Sequence, residues 1–535
     1  SAYARFYKAI WNYEWRSCAY YQIATLDCLN QGFSKALEHL EESLNTNRQN
    51  NKAYVLKAII LRHLGQQELA KETLDQLLKV DALDHWALIE QSTLSGNGTF
   101  LAVSRNDAQT VLDLVFDYCD AGFYQDALNL LDLHHQNDVV PVSVPNPMER
   151  SQMTRYAEAR IKQQLGTPGH HASLTQARQQ SSDHFFPSRI EEMRLLQWAL
   201  EQPEPDPLAA YALGNLYFDR RRHADAIATW ELAVEADTTI PQVYRNLGIA
   251  YWNHEHDGDK AAAQYQRAID LDDSDARLIF EFDQLNQKRK QSLSRRLDFL
   301  EIHRDLTNQR DDATVALAEL YNQTGTPAKA LELITSRRFH PWEGGEGAVL
   351  KQYSTAHILL GQEQLGIENA EAAHHHFTSA MDTPESLGEA YHPLQAKADV
   401  NYWIGKSLKI LGRIDDAQTH FKAAAEEVGD FSGMEAIEHG PLSYFRGLSM
   451  AELGQLDEAK ELFQSLQAYG EKRLKETAKI DYFATSLPNL LVFDEGLQTS
   501  HDEDAEALIQ QAINGSLALG FNDAFANENS TKYTR

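Results

Sequence analysis

Cysteine is scarce in this sequence: Cys18, Cys28 and Cys119 are the only three among 535 residues. They are too few and too scattered for a disulfide framework or a four-ligand zinc site, which fits a reducing compartment and points to the cytoplasm. Glycine (28) and proline (15) are also sparse, which excludes collagen-like repeats and argues against disorder and a turn-rich all-β chain. Basic charge is in deficit, with 49 Lys and Arg against 78 Asp and Glu and a formal net charge of −29. A field of that sign repels phosphate backbones and anionic lipid surfaces, so nucleic acid and membranes are disfavoured partners. Apolar runs such as Leu490 to Phe493 fall far short of the roughly 20 residues that a membrane helix needs. No secretory signal pattern opens the chain. It starts at Ser1, which leaves open that it is a piece of something longer.

What is present is a chain of 43% apolar and 24% charged residues, long enough for a large core. Internal repetition organises it. Leu213, Gly214 and Tyr217 recur as Leu247, Gly248 and Tyr251 at a spacing of 34, while Ala226, Trp230 and Ala233 recur as Ala261, Tyr265 and Ala268 at 35 after a one-residue insertion. That period belongs to a helix-turn-helix unit, in which the glycine leaves room for the second helix to cross closely. These residues resemble the tetratricopeptide repeat. A nine-residue step from late in one helix to a small residue in the next recurs at Leu61 to Ala70, Tyr118 to Ala127, Tyr321 to Ala330, Gln364 to Ala373, Leu408 to Ala417 and Met450 to Ala459. Gly65, Gly122, Gly325, Gly412 and Gly454 fall between the two helices of five of these units, where φ > 0 is needed. About ten hairpins are recognisable, so the expected fold is all-α, a right-handed superhelical α-solenoid with a long concave surface.

Departures from the period divide the chain. Tetratricopeptide-like repeats are expected over 1–136, an irregular crossover and linker with a short helix over 137–187, central repeats over 188–338, an inserted loop over 339–349 and further repeats over 350–535. Pro141, Pro145 and Pro147 forbid helix in the crossover. The inserted loop reads Phe339-His340-Pro341-Trp342-Glu343-Gly344-Gly345-Glu346-Gly347.

Together with His303-Arg304-Asp305-Leu306, Leu320-Tyr321-Asn322, Phe186-Pro187-Ser188-Arg189 and His392-Pro393-Leu394, this loop resembles the C-terminal half of a family of large bacterial tetratricopeptide proteins. The N-terminal half of that family is a β-rich, galactose-mutarotase-like domain of unknown function. The resemblance runs from about Ala53 to about Ala425. It implies the helical half of a carbohydrate-related protein, docked on a β-rich half absent from this chain, with no catalysis expected from the chain alone.

The residues of the loop support two uses. Phe339, His340, Trp342, Glu343 and Glu346 form either a plug and interdomain docking surface or a sugar-stacking and hydrogen-bonding surface. Glu343 and Glu346 could serve as an acid and base pair, but their spacing does not fix the carboxyl separation that glycoside hydrolysis requires. Peptide capture is a third use, by a concave groove lined by Tyr211, Asn215, Asn246 and Arg277; Glu281, at another such position, would repel a C-terminal carboxylate. His303-Arg304-Asp305-Leu306 mimics a kinase catalytic loop without its downstream Asn, and reads instead as helix capping and ion pairing. His374-His375-His376 and His254-Glu255-His256 read as solvated faces and turns rather than metal ligands. No cofactor or metal is expected.

Overall fold

A computed structural model describes residues 2–96, 99–137, 152–342, 344–427, 430–432, 435–479, 492–494 and 496–521. The expected crossover prolines lie outside the described residues, as does Glu343. The fold is all-α and built of helical hairpins, with one addition: a short antiparallel strand pair, Asp430–Ser432 and Glu435–Ile437. The chain forms two compact units, 1–243 and 244–535.

In the first unit, hairpins pair Tyr13–Leu29 with Phe33–Thr46, Asn51–His63 with Gln67–Leu78, Ala108–Asp120 with Tyr124–Gln136, and Pro207–Asp219 with His223–Glu235. Gln152–Leu165 pairs with His170–Arg178. The stretch from Gly166 to Pro187 thus holds half of another hairpin. Asp206 shows how a helix start is fixed. Its carboxylate accepts from the Ala209 amide at 2.9 Å, from the Tyr156 hydroxyl at 3.0 Å and from Arg178 at 3.3 Å, ahead of Pro207 in the first turn.

In the second unit, Asp311–Gln323 pairs with Pro327–Thr335, Ala348–Gly366 with Ala370–Ser379, Ala398–Ile410 with Ile414–Glu426, and Ser443–Glu452 with Leu456–Arg473. Leu497–Ala518 packs on Leu456–Arg473.

The small residue of each nine-residue step is sealed. Ala70, Ala127, Ala330, Ala373 and Ala459 are fully buried and Ala417 nearly so. Gly65, Gly122, Gly325, Gly412 and Gly454 have φ between 76° and 82°, the left-handed region expected between paired helices. A second close contact organises the core. A methyl group added at Gly214 would stand 2.3 Å from the Trp230 indole, at Gly361 2.3 Å from Phe377, at Gly405 2.6 Å from Phe421, and at Gly447 2.4 Å from Phe463. In each case the aromatic residue lies sixteen positions after the glycine, is buried, and lays its ring on bare helix backbone. Burying each such ring contributes about 1.5–3 kcal/mol.

The fifth pair, Gly248 and Tyr265, is spaced one residue wider. The extra residue is taken up by a π-helical turn, Tyr251–Glu255, which follows helix Pro241–Ala250 and ends at His256 with φ 55°. The insertion therefore re-aims the end of the first helix of that repeat.

Candidate functional site

The inserted loop is fastened from several sides. Arg337, just before it, binds Asp311 and donates to Thr314 Oγ1 at 2.9 Å, and its guanidinium lies 5.0 Å from the Phe339 ring centroid. Phe339 is 1% exposed, and its amide donates to the Ser386 carbonyl at 2.8 Å. It is a core side chain and offers no ligand surface. The His340 amide donates to Asp311 Oδ2 at 2.9 Å, while its imidazole is 81% exposed with Nδ1 3.6 Å from the same oxygen. The Trp342 indole lies directly over Gly345, where a methyl group would stand 2.0 Å from Cε2, and the residue stays half-buried. Glu346 is exposed, and its carboxylate accepts from the Gly344 amide at 3.0 Å. Glu389 closes the loop by accepting from the Gly347 and Leu350 amides, both at 2.6 Å, and so caps helix Ala348–Gly366 at its positive end. The result is a rigid shelf presenting His340, Glu346 and part of Trp342 to solvent. Its chemistry is stacking and hydrogen bonding.

The four groove candidates fall in different units, Tyr211 and Asn215 in the first, Asn246 and Arg277 in the second. Tyr211 is 5% exposed, and its carbonyl accepts from Trp230 Nε1 at 3.3 Å; it is interior. Asn215 is half-buried. Asn246 is half-buried beside Arg245, and Arg277 is exposed with Asp275 3.5 Å away. Glu281 is buried and does not meet a ligand as a bare carboxylate. It holds Arg245 through two bonds of 2.7 Å and accepts from the Tyr265 hydroxyl at 3.0 Å. Burial and that carboxylate push the Tyr265 hydroxyl well above the ordinary tyrosine range.

The π turn carries a contact that sequence spacing did not single out. Asn253 Nδ2 donates to the Val492 carbonyl at 3.0 Å, and Asn253 Oδ1 accepts from the Asp494 amide at 2.9 Å. Trp252 Nε1 donates to the Asp494 carbonyl at 3.4 Å. Between these bonds Phe493 is 1% exposed, with ring centroids 6.4 Å from Trp252 and 5.7 Å from Tyr265. The available signal was the one-residue insertion after Tyr251, together with the aromatic residue at 493.

The run His374-His375-His376 is more engaged than a solvated face would be, whereas His254, Glu255 and His256 are exposed. His374 Nδ1 lies 3.0 Å from Ser407 Oγ, and His376 Nδ1 lies 3.2 Å from Nδ1 of the buried His357. Burial first, then the neighbouring His376 and His375, pushes His357 down to about 4. Among the described residues no group of three or more His, Cys, Asp or Glu side chains is placed to hold a metal ion. Arg304, from the kinase-like tetrapeptide, donates to the Tyr321 hydroxyl at 2.8 Å, which in turn donates to Glu301 at 2.7 Å; this is inter-helix pairing. Among the described residues no helix is long and apolar enough to cross a membrane.

Solved structures with similarity to the chain include a tetratricopeptide repeat protein from Parabacteroides merdae, at 14% identity over 56% of this chain and 98% of that one, with a TM-score of 0.23. Yeast Tom70 matches at 13% identity over 98% and 96% of the two chains, with a TM-score of 0.25. PilW, a type IV pilus biogenesis factor, matches at 14% identity over 40% and 90%, with a TM-score of 0.24. Models of the tetratricopeptide repeat match residues 52–82, 194–241 and 211–276, so the hairpins built on Ala70, Trp230 and Tyr265 are tetratricopeptide repeats.

Proposed function

We propose that this chain is a protein-binding scaffold that docks a mutarotase-like β-rich domain of a bacterial carbohydrate-related protein through the 339–347 loop. The observation that carries the reading is the shelf itself: Phe339, Asp311, Gly345 and Glu389 lock the loop backbone, yet His340, Glu346 and part of the Trp342 indole stay at the surface. A surface held rigid before contact loses little entropy on association. A half-exposed Trp is the side chain that most often anchors an interface. The test is to mix the purified chain with such a β-rich domain and follow mass by light scattering during gel filtration. A complex is expected, and Trp342→Ala is expected to weaken it by about 2 kcal/mol, the usual scale of an interface anchor. A complex of unchanged affinity would refute the assignment of this loop. The second reading, favoured by the same half-exposed indole, is that the loop contacts carbohydrate at the interface. It requires Glu346→Gln to impair sugar binding or turnover while docking is preserved.

A further inference from the structure

Val492–Asp494 is held in the manner of a bound peptide. Its main chain is read from both sides of Phe493 by one side-chain amide, with Asn253 accepting from the following N–H and donating to the preceding carbonyl, while the Trp252 indole N–H takes the next carbonyl. Only the central side chain is buried: Phe493 is sealed, whereas Val492 is half-buried and Asp494 is exposed. Main-chain hydrogen bonds combined with a single side-chain pocket define a site that accepts a short stretch of main chain, here bent at Val492 and Phe493, and selects one residue of it. A plain core plug needs neither the bidentate amide nor the indole bond. The contact also joins residues 239 to 241 positions apart, on a π turn that takes up the one-residue insertion of its repeat.

We infer that Trp252, Asn253 and the ring of Tyr265 form a recognition site for short protein segments that bend about a central aromatic residue, and that Val492–Asp494 is a self-ligand masking it. A partner segment of the same chemistry, an aromatic residue at a bend in the chain with its flanking main-chain groups free to bond, competes for the site. Because the self-ligand is covalently attached, it acts at an effective concentration of millimolar order, and a partner binds with an apparent affinity reduced accordingly. The inference does not depend on the role of the 339–347 loop.

The probe is a fluorescein-labelled peptide Leu-Leu-Val-Phe-Asp-Glu-Gly, the sequence of residues 490–496, titrated into the full chain and read by fluorescence polarisation. Phe493→Ala is expected to empty the pocket and lower the peptide Kd by about tenfold or more relative to the unsubstituted chain. Asn253→Ala added to Phe493→Ala is expected to abolish that gain, as is replacing Phe by Ala in the peptide. Equal Kd values for the Phe493→Ala and unsubstituted chains, or no saturation of a cooperatively folded Phe493→Ala chain by about 1 mM peptide, would overturn the inference and leave Phe493 a structural plug. Should Phe493→Ala fail to fold, Asn253→Ala alone decides. Hydrogen exchange at the Asp494 amide is then expected to rise, and an unchanged rate overturns the clamp.

Discussion

Replacing Gly405 by Ala tests the close aromatic contact that organises the hairpins. In an exposed helix, Gly→Ala stabilises by about 0.8–1.0 kcal/mol, because alanine restricts the unfolded backbone. At Gly405 the added methyl group would stand 2.6 Å from Phe421 Cε1, 2.8 Å from Cδ1 and 2.9 Å from Cζ. The ring is 2% exposed, packed against Tyr402, and part of a core that also holds Phe377, Val400, Ile404 and Leu408. Reaching ordinary van der Waals contact requires the ring to retreat by most of an ångström into close-packed neighbours. Overpacking of that kind costs about 1–3 kcal/mol, so the propensity gain is cancelled and a net loss of up to about 2 kcal/mol is expected. Hydrogen exchange resolves this locally, and the slowest amides of Ala398–Ile410 and Ile414–Glu426 should open more readily, by a factor of up to roughly 30. Phe421→Leu in the same chain makes room, so the double variant should be less destabilised than the two single effects summed. Slower exchange in Gly405→Ala, by the amount helix propensity predicts, would show that the contact is not limiting and refute the argument.

Acidification should loosen the hairpin carrying His357 and His376. His357 and His376 titrate below the ordinary histidine value of 6.5, His357 at about 4, so the unfolded chain binds protons first and the stability present above pH 6.5 is lost as pH falls toward 4. Hydrogen exchange in Ala348–Gly366 at pH 7.5 and pH 5, corrected for the intrinsic rate, should show this difference in the native chain and a smaller one in His357→Gln. The buried pair Arg296 and Asp283 is joined by bonds of 2.9 and 2.8 Å. Asp283→Ala strands the guanidinium and should cost about 3–5 kcal/mol, while Asp283→Leu with Arg296→Met should recover most of it, as read from urea midpoints. Glu389→Ala removes the cap on Gly347 and Leu350. It should cost about 1 kcal/mol, seen as faster exchange in the first turn of Ala348–Gly366.

Much of this fold was legible in the sequence, because the period of 34 is a packing constraint imposed on small residues. Wherever a nine-residue step ended on alanine, from Ala70 to Ala459, the structure buries that alanine against the paired helix. The turn glycines were readable for the same reason, since φ > 0 leaves few alternatives to glycine. The loop was visible as a departure from the period, but the fate of each side chain was not. Phe339 and Trp342 are both aromatic, and only Asp311, Ser386 and Glu389, at 28 to 47 positions of separation, decide that one is sealed and the other half-exposed. The groove assignment suffered likewise. Tyr211 and Glu281 occupy helix positions that could face a ligand, yet Trp230, Arg245 and Tyr265 claim them first. The insertion after Tyr251 is visible as a change of spacing from 34 to 35. Its placement in a π turn depends on hydrogen bonding that periodicity does not encode.

The attachment of Val492–Asp494 to Asn253 changes how the second unit can come apart. An array in which each hairpin touches only its neighbours frays from a free end one repeat at a time, with little cooperativity between distant members. Here a late stretch of chain is pinned to an early repeat of the same unit, so the repeats between them belong to a closed circuit. Losing one of them strains the pin. The pin can form only after its receptor has folded, which makes it a late event of high contact order.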